Sequence, residues 1–214
     1  MTTANELDAS DTATNENLVE DTEAKETAAN LKKMAMIYGV ATVAALTLFG
    51  AAHTWAAASS WVLAGFTSIA AAFVTGMVLA GIFHEWGHYS GAALSGSKLK
   101  VAAQPVDYFF FLNFDVNKNS TRQALWMSWG GLTGSWLLVA TTALLVPLDS
   151  WASAVLLATV IGRAINASVF EVPVARRTKQ SENFKQELAD QLRSPGIVKA
   201  PGLIAGLVVF ALAS

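Results

Sequence analysis

Five apolar runs, each near the length of a membrane-crossing helix, constrain this chain more than any other feature: Met34 to Ala52, Trp61 to about Leu94, Ala124 to Pro147, Trp151 to about Glu171, and Ile197 to Ser214. A helix rises about 1.5 Å per residue, so roughly 20 predominantly apolar residues bridge the hydrocarbon of a bilayer. The second run exceeds one crossing, so its C-terminal end must project past the hydrocarbon or lie inside a bundle. The last run is short and weak; it reads as a full span or an interfacial helix, and the span is favoured. Charge is too sparse to clothe a water-facing surface: 14% of the residues are charged, against about 25% in soluble domains. The expected fold is an all-α polytopic membrane protein of about five transmembrane helices embedded in a lipid bilayer.

The distribution of charge orients those spans. Residues 1–33 carry Glu6, Asp8, Asp11, Glu16, Glu20, Asp21, Glu23 and Glu26 among Thr, Ala and Asn, without apolar periodicity. They read as an acidic, disordered cytoplasmic tail ahead of a membrane-embedded domain over 34–214. With the N-terminus inside, the cytoplasmic segments hold Lys25, Lys32, Lys33, Lys98, Lys100, Lys118, Arg122, Arg176, Arg177, Lys179, Lys185, Arg193 and Lys199. Arg163, within the fourth run, is the one Lys or Arg left over from the chain's 14. A bias this complete predicts five spans, N-terminus in and C-terminus out. Trp55, Trp61 and Trp151 then fall at the outer boundary, and Trp126 and Trp129 at the inner one. This fits an inner (cytoplasmic) membrane protein of a bacterium. A net charge of −2 offers no basic field, so no nucleic acid is expected as a partner, and zero cysteines exclude disulfides and thiolate metal sites. The oligomeric state is left open.

Residues 95–121, between the second and third runs, are not helical in pattern. Leu99, Val101 and Ala103 alternate with polar or small neighbours, and Pro105 separates them from the aromatic run Tyr108 to Phe114. Two short strands, a small β-hairpin, fit this segment. Glu182 to Leu192 places Phe184, Leu188 and Leu192 at four-residue spacing, an amphipathic helix for the cytoplasmic face.

The chemistry lies in His84-Glu85-Trp86-Gly87-His88. On a helix His84 and His88 are one turn apart and share a face, so both imidazoles can hold one zinc ion. Glu85 lies beside the first ligand, within reach of a water whose pKa zinc brings to about 7. The competing reading makes the two histidines helix-face groups hydrogen-bonded to backbone or neighbouring spans. Ionisable groups within a membrane need a partner or a function, which favours the metal.

Phe83 to Ala93 (FHEWGHYSGAA) resembles the metal helix of the site-2 protease family of intramembrane zinc metalloproteases. The likeness continues through Thr121 to Ala140 (TRQALWMSWGGLTGSWLLVA), where Gly130, Gly131 and Ser135 take the positions of Ala, Gly and Asn in an Ala-Gly-Pro-x-x-Asn motif, and Leu132 replaces the proline. The resemblance covers roughly residues 61–175. It implies a third zinc ligand, an aspartate in an Asn-x-x-Pro then Leu-Asp-Gly segment. Here that region reads Asn166-Ala-Ser-Val-Phe-Glu171-Val-Pro173, and no Asp-Gly follows.

Depth selects a substitute. His84 is 23 residues past Trp61 and Glu171 is 20 past Trp151, which puts them within about 5 Å of one depth. Asp149 falls at the opposite face, whereas Asp107 and Asp115 would need a loop to fold back. Glu171 is therefore the expected third ligand, giving a His-His-Glu set; the other reading pairs it with Arg176 or Arg177. The resemblance alone gives Asn166 a catalytic role, donating to a developing oxyanion, and helix packing is the competing role. Arg163 is open between lining a polar cavity, bridging to a carboxylate and snorkelling. The hairpin edge would pair with an extended substrate segment, or else its phenylalanines, Phe109, Phe110, Phe111 and Phe114, anchor it at the interface. The expected function is an intramembrane zinc metalloendopeptidase acting on a transmembrane protein substrate near the cytoplasmic side, with Glu85 as base. The alternative is a non-catalytic membrane scaffold or adaptor that keeps the protease fold.

Overall fold

Large apolar side chains point outward and small ones inward. Leu63, Phe66, Leu137, Leu144, Leu145, Leu207 and Leu212 are exposed, while Ala64, Ala72, Ser68, Thr75, Ser128, Ser135 and Ser153 are buried. Water would drive the reverse pattern; lipid leaves van der Waals packing of small residues to hold helices together. The computed structural model describes residues 4–106, 110–115, 117–192 and 195–213. In chain order its elements are α1 (Ala4–Ala58), α2 (Val62–Leu94), β1 (Leu99–Val106), β2 (Phe110–Phe114), α3 (Thr121–Leu145), α4 (Trp151–Ser181), α5 (Phe184–Leu192) and α6 (Pro195–Ala213).

Among the described residues, three helices are long and apolar enough to cross a membrane: Asp21–Ala58 of α1, α2 and α4. This is fewer than the five spans expected. In α3 the apolar run is diluted by Ser128, Gly130, Gly131, Thr133, Gly134 and Ser135. In α6 the apolar stretch Ala200–Ala213 is short and contains Pro201.

The expected hairpin is present as an antiparallel pair. Leu99 faces Phe114, Lys100 faces Asn113 and Val101 faces Leu112, and an irregularity follows before Val106 meets Phe110. Asp107, Tyr108 and Phe109 lie outside the described residues. Phe111, 1% exposed, is driven into a cluster with Met34, Tyr38, Ile82 and Val101. Its ring centroid lies 5.5 Å from that of Tyr38 and 5.2 Å from that of Trp86, so the strand pair is pinned beside the histidine-bearing turn of α2. An amide clamp secures its far end: Lys98 N–H donates to Asn119 Oδ1 at 2.7 Å, and Asn119 Nδ2 returns a bond to Lys98 O at 2.6 Å. Ser120 and Gln123 then form a capping box that starts α3.

α1 runs unbroken through residues 4–33 into its apolar part. Ala, Glu, Lys and Leu favour helix there, the apolar span supplies the costly helical nucleus, and Lys25 pairs with Asp21 one turn away at 2.8 Å. Tertiary contacts add to this. Glu23 meets Lys100 at 2.6 Å, and Asn30 Nδ2 donates to Val101 O at 3.0 Å. The exposed ion pair contributes little; the half-buried amide bond is worth about 1 kcal/mol. Backbone amides of residues 21–33 should therefore resist hydrogen exchange. Asn30→Ala should speed exchange at the strand and the adjoining helix together, by several-fold, as measured by mass spectrometry in detergent.

Candidate metal centre

α2 presents His84 and His88 on successive turns, ring centroids 4.4 Å apart and nearly perpendicular at 78°. Their Nε2 atoms approach to 3.0 Å. From α4, Glu171 Oε1 comes within 2.9 Å of His84 Nε2 and 3.2 Å of His88 Nε2. Three donor atoms from two helices thus form a nearly equilateral triangle. A tetrahedral ion bound at 2.0–2.1 Å holds its ligands about 3.3 Å apart, so each edge needs only a few tenths of an ångström.

Both imidazoles are held in the tautomer a metal requires. His88 Nδ1 lies 2.9 Å from the Met127 carbonyl, which can only accept, so the proton of the neutral ring is on Nδ1 and Nε2 keeps its lone pair. Ser135 does the same for His84. Its hydroxyl donates to Gly131 O at 3.1 Å, leaving an oxygen lone pair to accept from His84 Nδ1 at 3.0 Å. Both supports belong to α3, so α2 carries the ligands and α3 aims them.

Aiming from that distance depends on glycine. Gly87 and Gly91 of α2 lie directly against Gly130, Gly131 and Gly134 of α3, and a Cβ at any of them would overlap the opposite helix. At Gly131 the overlap would fall on the His88 imidazole itself. Small residues spaced three or four apart are what allows helix backbones to touch.

Glu85 is buried at 3% exposure. One of its carboxylate oxygens and one ring nitrogen each of His84 and His88 lie within 4.8 Å of one another, a group that can hold a metal ion. Glu171 Oε2 is buried without a hydrogen-bond partner among the described residues. A buried carboxylate oxygen left unmatched is costly, and a cation in the triangle would relieve that cost. The donor set and the orphaned oxygen fit a divalent ion.

The remaining expected residues are placed elsewhere. Asn166 is five residues before Glu171, about 140° around the helix; its Oδ1 accepts from Gly202 N–H of α6 at 3.0 Å. The structure thus gives it a packing bond between α4 and α6 and does not bring it to the imidazoles. Asp107 lies outside the described residues, and Asp115 caps its own loop, accepting from Asn117 N–H at 2.9 Å. Arg177 reaches Glu187 of α5 at 2.7 Å. The second-sphere roles of Ser135 and the Met127 carbonyl went unread in the sequence. A serine one turn after Gly131 carries the only trace, since a small polar group beside a glycine seam faces the neighbouring helix.

No protein-family model matches the chain, and neither a curated protein nor a solved structure does. Its class is defined by its own fold and site: a helical protein with membrane-length helices and a His-Glu-His group, the histidines half-buried and the glutamate buried, able to hold a metal ion.

Two substitutions probe the supports separately from the ligands. Ser135→Ala removes the acceptor for His84 Nδ1 and should weaken metal binding about 10- to 100-fold, as read by chelator competition. Gly131→Ala pushes on the His88 ring and should lower metal occupancy at least as far.

Proposed function

We propose that the chain is an intramembrane zinc metalloendopeptidase similar to the site-2 protease family, cutting a membrane protein near the cytoplasmic side. The observation that carries the reading is the triangle of His84 Nε2, His88 Nε2 and Glu171 Oε1, with buried Glu85 on the next residue of the same helix. The proposed topology has five spans, with α3 and α6 completing the three strongly apolar helices, the N-terminus cytoplasmic and the C-terminus outside.

Zinc held by His84, His88 and Glu171 would supply Lewis acidity, polarising the scissile carbonyl and acidifying water toward about pKa 7. Two histidines and one carboxylate also suit iron; Glu85, directly after the first histidine, is what points to hydrolysis. Its carboxylate takes the proton of the attacking water and returns it to the departing amine. Burial keeps it dry apart from that water. Glu171 serves only as a ligand, since its Oε1 is shared between both imidazoles. Asn166 has no step in this scheme: the bond its Oδ1 accepts from Gly202 N–H holds its amide against α6.

One departure favours the second reading, a non-catalytic membrane scaffold or adaptor: Glu171 precedes Pro173 and no Asp-Gly follows, unlike the resembled family. Metal content separates the two. The purified full chain in detergent should hold one zinc per molecule, and Glu171→Ala should lose it as His84→Ala does. Glu85→Gln should retain the zinc and lose about 10²- to 10⁴-fold in cleavage of a co-expressed transmembrane reporter. A wild-type chain that never takes up zinc removes the peptidase.

A further inference from the structure

Arg163 is the charged residue that the site does not use. It lies 12 residues after Trp151 and 13 before Arg176 in α4, about 18 and 20 Å from the two ends of that helical segment. An arginine side chain extends about 7 Å, too short to bring its guanidinium to either interface by snorkelling. It is nonetheless exposed, and it has no ion pair or hydrogen bond with any described residue.

The other faces of α4 are taken. Thr159 and Leu156 meet Gly76 of α2, Ser168 receives the Trp136 indole of α3 at 3.1 Å, Gly162 and Asn166 meet Gly202 of α6, and Glu171 closes the triangle. Arg163 is the one exposed residue of α4 between Ala152 and Ala175. Half-buried Ala167 and Phe170 continue its face one and two turns on. A permanent cation facing hydrocarbon is expensive, and no described residue supplies a counter-charge.

We infer that Arg163 is a docking point for the transmembrane helix of another protein, one carrying an aspartate or glutamate near its middle. Charge complementarity selects this occupant, because a guanidinium at that depth gains most from a carboxylate delivered within the bilayer. Ala167 leaves room for close helix approach and Phe170 gives the contact a flank. The inference depends on α4 crossing the membrane and not on the metal, so it survives loss of the peptidase reading.

The full chain, fluorescently labelled, would be reconstituted in phosphatidylcholine vesicles with a synthetic polyleucine-alanine transmembrane peptide carrying one central aspartate. Energy transfer should report association about tenfold stronger than for the peptide with leucine at that position. Arg163→Leu should abolish the difference, and Arg163→Glu should shift the preference to a central-lysine peptide. Each variant's zinc occupancy or circular dichroism must match wild type, which separates lost docking from lost fold. Equal association of the aspartate and leucine peptides with wild type would overturn the inference. So would an acid preference that disappears when a tenth of the lipid is phosphatidylglycerol, because the guanidinium would then be at the headgroups.

Discussion

One carboxylate joins the two halves of this molecule. Glu171 reaches from α4 to both imidazoles of α2, with Oε1 at 2.9 and 3.2 Å and Oε2 left without a partner. Three polar groups brought together in an apolar surrounding repel or strain one another unless something balances them. Protons can share that duty, but a divalent ion matches the spacing with small movement. The backbone carbonyl of Met127 and the hydroxyl of Ser135 orient the rings from behind, so the arrangement extends to a second sphere in α3.

The bundle around this group follows from what lipid rewards. With outward Leu and Phe and inward Gly, Ala, Ser and Thr, contact between helices depends on shape. The seam of Gly87, Gly91, Gly130, Gly131 and Gly134 brings α2 and α3 close enough for α3 to hydrogen-bond the α2 imidazoles. The aromatic cluster of Tyr38, Trp86 and Phe111 fastens α1 and the strand pair to the same turn of α2.

Much of this was legible in the residues, and the failures have physical causes. The His84-Glu85-x-x-His88 spacing gives one helix face directly, and counting from Trp61 and Trp151 gave Glu171 the right depth because both helices are regular. The hairpin announced itself through alternation and Pro105. The helix over residues 21–33 rests on continuity with the apolar span and on contacts with Lys100 and Val101, more than 70 positions away, which no local pattern announces. Asn166 was matched to a motif by its place in the chain, yet helical rotation carries it to α6. The expected third and fifth spans rest on α3 and α6, where packing glycines and Pro201 thin the apolar signal.

The glycine seam also decides how the bundle can breathe. Where backbone rests on backbone there is no soft side chain to compress, so α2 and α3 shift as a single rigid pair. Prising α4 from that pair would pull one donor away from the other two and dismantle the triangle. Any opening that keeps the three donor atoms together must therefore leave those three helices together. It has to work at the periphery, by swinging α6 away from an undisturbed trio, because Tyr38 and Phe111 fasten α1 and the strand pair to α2.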